Sequence, residues 1–107
     1  MRRATRRTVI FMATASLLAL ACTAPGARPH KGISGLWREF AQLSPKRALA
    51  LAGHPDLAWV GAAVGGFASQ IEASDAALAE CRRKRRERRM QAPCLLYAVG
   101  SEIVWQD

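Results

Sequence analysis

The sequence predicts an α+β domain: a small antiparallel sheet of about four strands packed on one helix, in ββαββ order, with one disulfide. Three observations lead there. Ser69-Gln70-Ile71-Glu72 has the spacing of a helix capping box, and a helical pattern follows it. Short apolar runs bounded by glycine or proline stand in pairs before and after that helix, as two hairpins would. Cysteines at 81 and 94 mark the end of the helix and the start of the next run.

The first segment stands apart from that domain. Met1–Arg7 is basic, and the thirteen residues Val9–Ala21 are uncharged and apolar. A membrane-spanning helix needs roughly 20 such residues, so residues 1–21 are expected to be a signal peptide, with an uncleaved anchor as the competing reading. Ala19-Leu20-Ala21 has the small-x-small form that a signal peptidase accepts. Thr5-Arg6-Arg7-Thr8-Val9-Ile10 resembles a twin-arginine export motif, although arginines here also serve the general pathway. Cys22 follows at once, where a lipoprotein signal places its modified cysteine. Leu18-Ala19-Leu20-Ala21-Cys22 departs from the usual lipobox by placing Ala, then Leu, before the last small residue. Residues 22–35, with two prolines and three glycines in Thr23–Gly35, are expected to form a flexible tether.

Residues 36–107 are then the domain, and a chain of 107 residues allows only one. Leu36, Trp37, Phe40 and Leu43 recur at helical spacing, which predicts a short amphipathic helix laid on the domain. Lys46–Ala52 suits two structures: Ser44-Pro45 would start a helix well, while the small–large alternation of Ala48–Ala52 fits a half-buried strand. Gly53-His54-Pro55-Asp56 is a turn, and Leu57–Val64 is a strand ended by Gly65-Gly66. In the helix after Ser69, the residues Ile71, Ser74, Leu78 and Cys81 form the expected buried stripe. Arg85 takes the next inward position, so the helix is expected to leave the core there. Pro93–Val99 and Ile103–Trp105 are the last two strands, joined through Gly100-Ser101-Glu102.

In order, Arg47-Ala48-Leu49-Ala50, Trp59-Val60-Gly61, the helical set Ser69, Ala73, Ala77, Leu78 and Cys81, the run Pro93-Cys94-Leu95-Leu96-Tyr97-Ala98-Val99, and Val104-Trp105 resemble a group of small exported proteobacterial domains of unknown function. In that group a β-hairpin leads into an alanine-rich helix ending in cysteine, and a Cys-x-x-Tyr-Ala strand follows. The resemblance covers about residues 46–105 and implies a strand at 46–52. It brings no activity with it. The basic run between the two cysteines departs from the short polar loop of the group.

Three cysteines are an odd number. Lipid on Cys22 leaves Cys81 and Cys94 to pair, whereas ordinary cleavage leaves Cys22 as a spare thiol in an oxidising compartment. No Cys-x-x-Cys suggests a redox pair, and no ligand spacing suggests a metal or cofactor. His30 and His54 have no nucleophile near them in sequence. Glu72, Asp75 and Glu80 share one helix rather than facing each other across a cleft, and Gly65-Gly66 lacks the Lys of a phosphate loop. Trp37, Trp59 and Trp105 suit packing.

The formal charge of +8 conceals a segregation. Four of the sixteen Lys/Arg lie in the first segment, so from Cys22 onward twelve face eight acidic residues. Seven of those twelve, Arg82, Arg83, Lys84, Arg85, Arg86, Arg88 and Arg89, fall in one run broken only by Glu87, and the remainder is net acidic. A concentrated patch of this kind attracts anions. Nucleic acid is disfavoured, because no aromatic residue interleaves the run and an exported protein meets little of it. Anionic lipid or envelope polysaccharide suits the compartment, and a solvated loop that only maintains solubility is the plain alternative. The expected function is therefore a non-catalytic module of the periplasm or envelope membrane, lipid-anchored through Cys22 or secreted, touching anionic components through a basic loop. The alternative is an accessory subunit that binds another envelope protein through an edge strand or Leu36–Leu43. An enzyme ranks third, and the sequence does not set the oligomeric state.

Overall fold

The strand at the middle of the molecule alternates in size, not in polarity. In β1 (Ala48–Gly53), Ala48, Ala50 and Ala52 face one side and Leu49 and Leu51 the other, and all five are 0–1% exposed. A strand apolar on both faces must be covered on both. The computed structural model, which describes residues 28–107, shows how. Residues 1–21, expected above to be a signal peptide, Cys22 and residues 23–27 of the expected tether lie outside the described residues.

β1 is flanked by β2 (Trp59–Val64) and β3 (Cys94–Val99), and β4 (Glu102–Ile103) pairs with β3. All neighbours are antiparallel in the order β2-β1-β3-β4. The short helix α1 (Ser34–Ala41) covers the leucine face, with Phe40 fully buried. The long helix α2 (Gln70–Glu87) covers the alanine face and crosses from β2 to β3. The ββαββ order and the α+β class are those read from the sequence.

α2 begins as its cap dictates: the Ser69 hydroxyl accepts from the Glu72 N–H at 3.1 Å. Its buried face differs from the expected stripe. Ile71 is 74% exposed, while Ala73, Ala77 and Cys81 are fully buried. Three alanines on the facing strand let the helix approach closely, and small residues fit that seat where isoleucine does not. The helix continues through the basic run to Glu87, with no buried residue after Cys81. It ends in a Schellman motif, Arg89 N–H to Arg86 C=O (3.1 Å) and Met90 N–H to Arg85 C=O (3.0 Å), with Arg89 at φ 55°. The basic segment is thus the end of a helix for most of its length, not a loop.

Cys81 and Cys94 are disulfide-bonded, with a Cα–Cα distance of 6.1 Å, and tie α2 to the start of β3. Within β3, Leu49 pairs with Ala98 but Ala50 pairs with Leu96, so Tyr97 is the extra residue of a bulge. The bulge places both Tyr97 and Ala98 on the α1 face. The Tyr97 carbonyl then accepts from the N–H groups of Val104 (2.8 Å) and Trp105 (3.2 Å), so β4 ends at Ile103 rather than at Trp105.

Residues 28–35, assigned above to a tether, pack on the domain. Lys31–Ile33 form a 3-10 turn and Ile33 is fully buried. Gly32 lies so close to the hairpin turn that a Cβ there would sit 1.9 Å from the Pro55 carbonyl oxygen. Arg47 joins three further elements. Its guanidinium donates to the carbonyls of Phe40 and Ala41 at the end of α1 and to Gly100, all at 2.9 Å, and stacks 4.5 Å from the Phe40 ring centroid. Its own carbonyl accepts from Gln70 at the start of α2. Among the described residues, no helix is long and apolar enough to cross a membrane.

Candidate anion-binding surface

The seven cations of the basic run separate into two sets. Arg83 binds Glu80 through two nitrogens and Glu87 through a third. Its hydrogen bonds hold the Glu80 carboxyl below the usual range, and the two carboxylates raise the Arg83 guanidinium further above its own. Lys84 donates from Nζ to the Gly61 carbonyl of β2 at 3.1 Å. Arg85 donates from Nε to the Met90 carbonyl at 3.2 Å, fastening the turn that ends α2. Arg83 is thus engaged by carboxylates of α2 itself, Lys84 by a carbonyl of β2 and Arg85 by the turn after the helix.

Arg82, Arg86, Arg88 and Arg89 are exposed and make no side-chain hydrogen bond among the described residues. Arg82 and Arg86, four residues apart, share one side of α2, away from the buried Ala73–Ala77–Cys81 line, and Arg88 and Arg89 follow where the helix ends. The partial negative charge of the helix C-terminus favours cations there, which offsets part of their mutual repulsion. Arg89 holds a left-handed conformation that glycine adopts without cost and an L side chain does not.

Beside this stripe a groove of about 590 Å³ runs along the outer edge of β2. Leu36 and Glu39 of α1 form one wall, Lys84 and Arg88 the other, and Trp59 and Gly61 the floor. A Cβ on Gly61 would come within 2.5 Å of Leu51 Cδ2 and 2.8 Å of Leu36 Cδ2, so only glycine lets both leucines lie across the strand.

The structure also joins residues that the sequence left apart. His30 and His54 have ring centroids 6.0 Å apart, and Trp105 meets both edge-on at 5.2 and 5.3 Å. The Tyr97 hydroxyl lies 2.7 Å from His30 Nδ1 and accepts from the His30 N–H at 3.0 Å. His54 Nδ1 accepts from the Asp56 N–H at 3.1 Å, and its Nε2 lies 3.0 Å from Asp107. Burial first, and the charge of Asp56 second, push the Tyr97 hydroxyl above its ordinary pKa. The cluster fastens the N-terminal segment and the C-terminal tail to β3. Among the described residues, no group of three or more His, Cys, Asp or Glu side chains is arranged to hold a metal ion.

No local pattern signalled that convergence, because His30, His54, Tyr97 and Trp105 belong to four separate segments. Of the residues expected to act as sites, Cys81 and Cys94 meet as a disulfide, the seven cations divide as described, and Cys22 lies outside the described residues. No protein-family model, curated protein or solved structure matches this chain.

Proposed function

We propose that this chain is a non-catalytic module of the bacterial cell envelope, exported by its leader, that contacts an anionic surface through the arginine stripe at the end of α2. The observation that carries the proposal is the division of the basic run: among the described residues, the Arg82, Arg86, Arg88 and Arg89 side chains are exposed and without hydrogen-bond partners, while Arg83, Lys84 and Arg85 have them. The Cys81–Cys94 bond supports the exported location, because disulfides persist in oxidising compartments and are rare in the cytosol. Lipid on Cys22 would hold the domain within reach of headgroup phosphates.

The test is retention on vesicles of anionic and of neutral lipid. Each arginine near an anionic surface contributes about 1 kcal/mol, so replacing Arg82, Arg86, Arg88 and Arg89 by glutamine should weaken binding roughly a thousandfold at low salt. Retention of the quadruple variant equal to that of the parent would refute the proposal.

A further inference from the structure

We propose that the outer edge of β2 is a second binding site, one that takes an extended acidic peptide segment as a fifth strand of the sheet. This goes beyond the arginine stripe and shares only Arg88 with it.

The backbone sets the first requirement. Across the first hairpin the His54 N–H donates to the Ala58 carbonyl at 3.1 Å, so Ala58 turns its polar groups toward β1. Strand groups alternate with period two. Val60, Ala62 and Val64 therefore pair with Ala52, Ala50 and Ala48, while Trp59, Gly61 and Ala63 point their N–H and C=O groups outward. The Lys84 ammonium confirms that direction by reaching the Gly61 carbonyl from outside the sheet. Among the described residues, the outward N–H groups of Trp59, Gly61 and Ala63 have no partner. A row of unpaired donors and acceptors is complementary to an extended backbone.

The walls set the side chains. One face of an added strand meets Lys84 and Arg88, and the other meets Leu36, the Trp59 ring and Glu39, so carboxylates of the segment belong on the first face and apolar side chains on the second. Side chains of a strand alternate between faces, so the matching segment alternates carboxylates with apolar residues. Glu87 does not oppose this, because its carboxylate is bound by Arg83. Lys84 guards the empty edge, as lysine commonly does on exposed strands. Adding a strand displaces its ammonium from Gly61, and a carboxylate of the incoming segment receives it.

The experiment adds a synthetic peptide of about nine residues, alternating Glu with Val, to the oxidised protein and follows backbone amide exchange. A control peptide carries Gln in place of Glu. The expected result is slowed exchange at Gly61 and Ala63, with the Glu peptide bound about tenfold more tightly than the Gln peptide. Ala63→Pro removes an outward N–H and leaves the ladder to β1 intact, so it should abolish binding. Lys84→Ala should remove most of the preference for Glu over Gln, which keeps the proposal testable if Ala63→Pro fails to fold. Replacing Arg82, Arg86 and Arg89 by glutamine should leave the slowed exchange at β2 in place. Equal binding of the two peptides, undiminished binding by a folded Ala63→Pro, or loss of the β2 signal in the arginine variant would overturn the proposal. So would a peptide-free dimer with these amides already protected, since a second copy would then occupy the edge.

Discussion

Opening the Cys81–Cys94 bond should lower stability by about 3 kcal/mol. The two cysteines are 13 residues apart in sequence, and closing a loop of that length in the unfolded chain removes roughly 10 cal/mol/K of entropy, or about 3 kcal/mol at room temperature. At a typical 0.05–0.15 kcal/mol per residue, the described domain has a total stability of roughly 4–12 kcal/mol, so the bond supplies a large share. A change of 3 kcal/mol corresponds to a fall in Tm of roughly 12–24 °C in a domain of this size. The assay is thermal unfolding by circular dichroism, comparing the oxidised protein with the same protein fully reduced. Reduction leaves both sulfurs in place, so no cavity forms beside Ala73 and Ala77 to confuse the comparison. A fall of less than about 5 °C with reduction complete would refute the reasoning, because closure of the loop would then contribute little beyond what the packing of α2 on the sheet already supplies. A large fall implies that the reduced chain is marginal wherever thiols are kept reduced.

Arg89→Gly should raise Tm by roughly 4–8 °C by releasing about 1 kcal/mol of left-handed strain, while weakening retention on anionic vesicles. Gly61→Ala should destabilise by about 1–3 kcal/mol, measured by urea unfolding, because the new methyl meets Leu51 and Leu36. Tyr97 is the only tyrosine in the chain, so phenolate absorbance reports it alone. Its folded pKa is raised, so its contribution is fully present below the ordinary tyrosine value near 10 and is lost as pH rises through the folded one. The absorbance should therefore titrate above the value of the unfolded chain, and Tyr97→Phe should flatten part of the alkaline loss of Tm.

The parts of the fold legible in sequence were those encoded by neighbours. Ser69 and Glu72 announced the start of α2 because a cap spans only four residues, whereas the alternation of Ala48–Ala52 fitted a strand without excluding the helix that Ser44-Pro45 could start. The buried face of α2 was misread because hydrophobicity ranks Ile71 above Ala73, whereas a sheet face made of alanine selects for small size. The tether was misread at Ile33, whose burial depends on Gly32 fitting against Pro55, a contact with no local sign. In the basic run the residue types were visible but their employment was not. Lys84 and Arg85 are bound to backbone carbonyls, one of them in a distant strand, and carbonyls leave no trace in a sequence pattern. The pairing of Arg83 with Glu80 and Glu87, at helical spacings, was open to local reasoning. The histidine and aromatic cluster depends on the bulge at Tyr97 and on the path of both chain ends, so it follows only from the completed fold.

The most direct test of the central claim separates the stripe from the charge of the whole molecule. Two charge-conserving variants serve: Glu80→Gln with Arg83→Gln, which removes a bound arginine, and Glu39→Gln with Arg86→Gln, which removes an exposed one. Their retention on anionic vesicles is compared with that of the parent at low salt. The first should bind like the parent, and the second about fivefold more weakly, the equivalent of about 1 kcal/mol. Equal retention of the two would contradict the account, because net charge and not the outward stripe would then govern attachment.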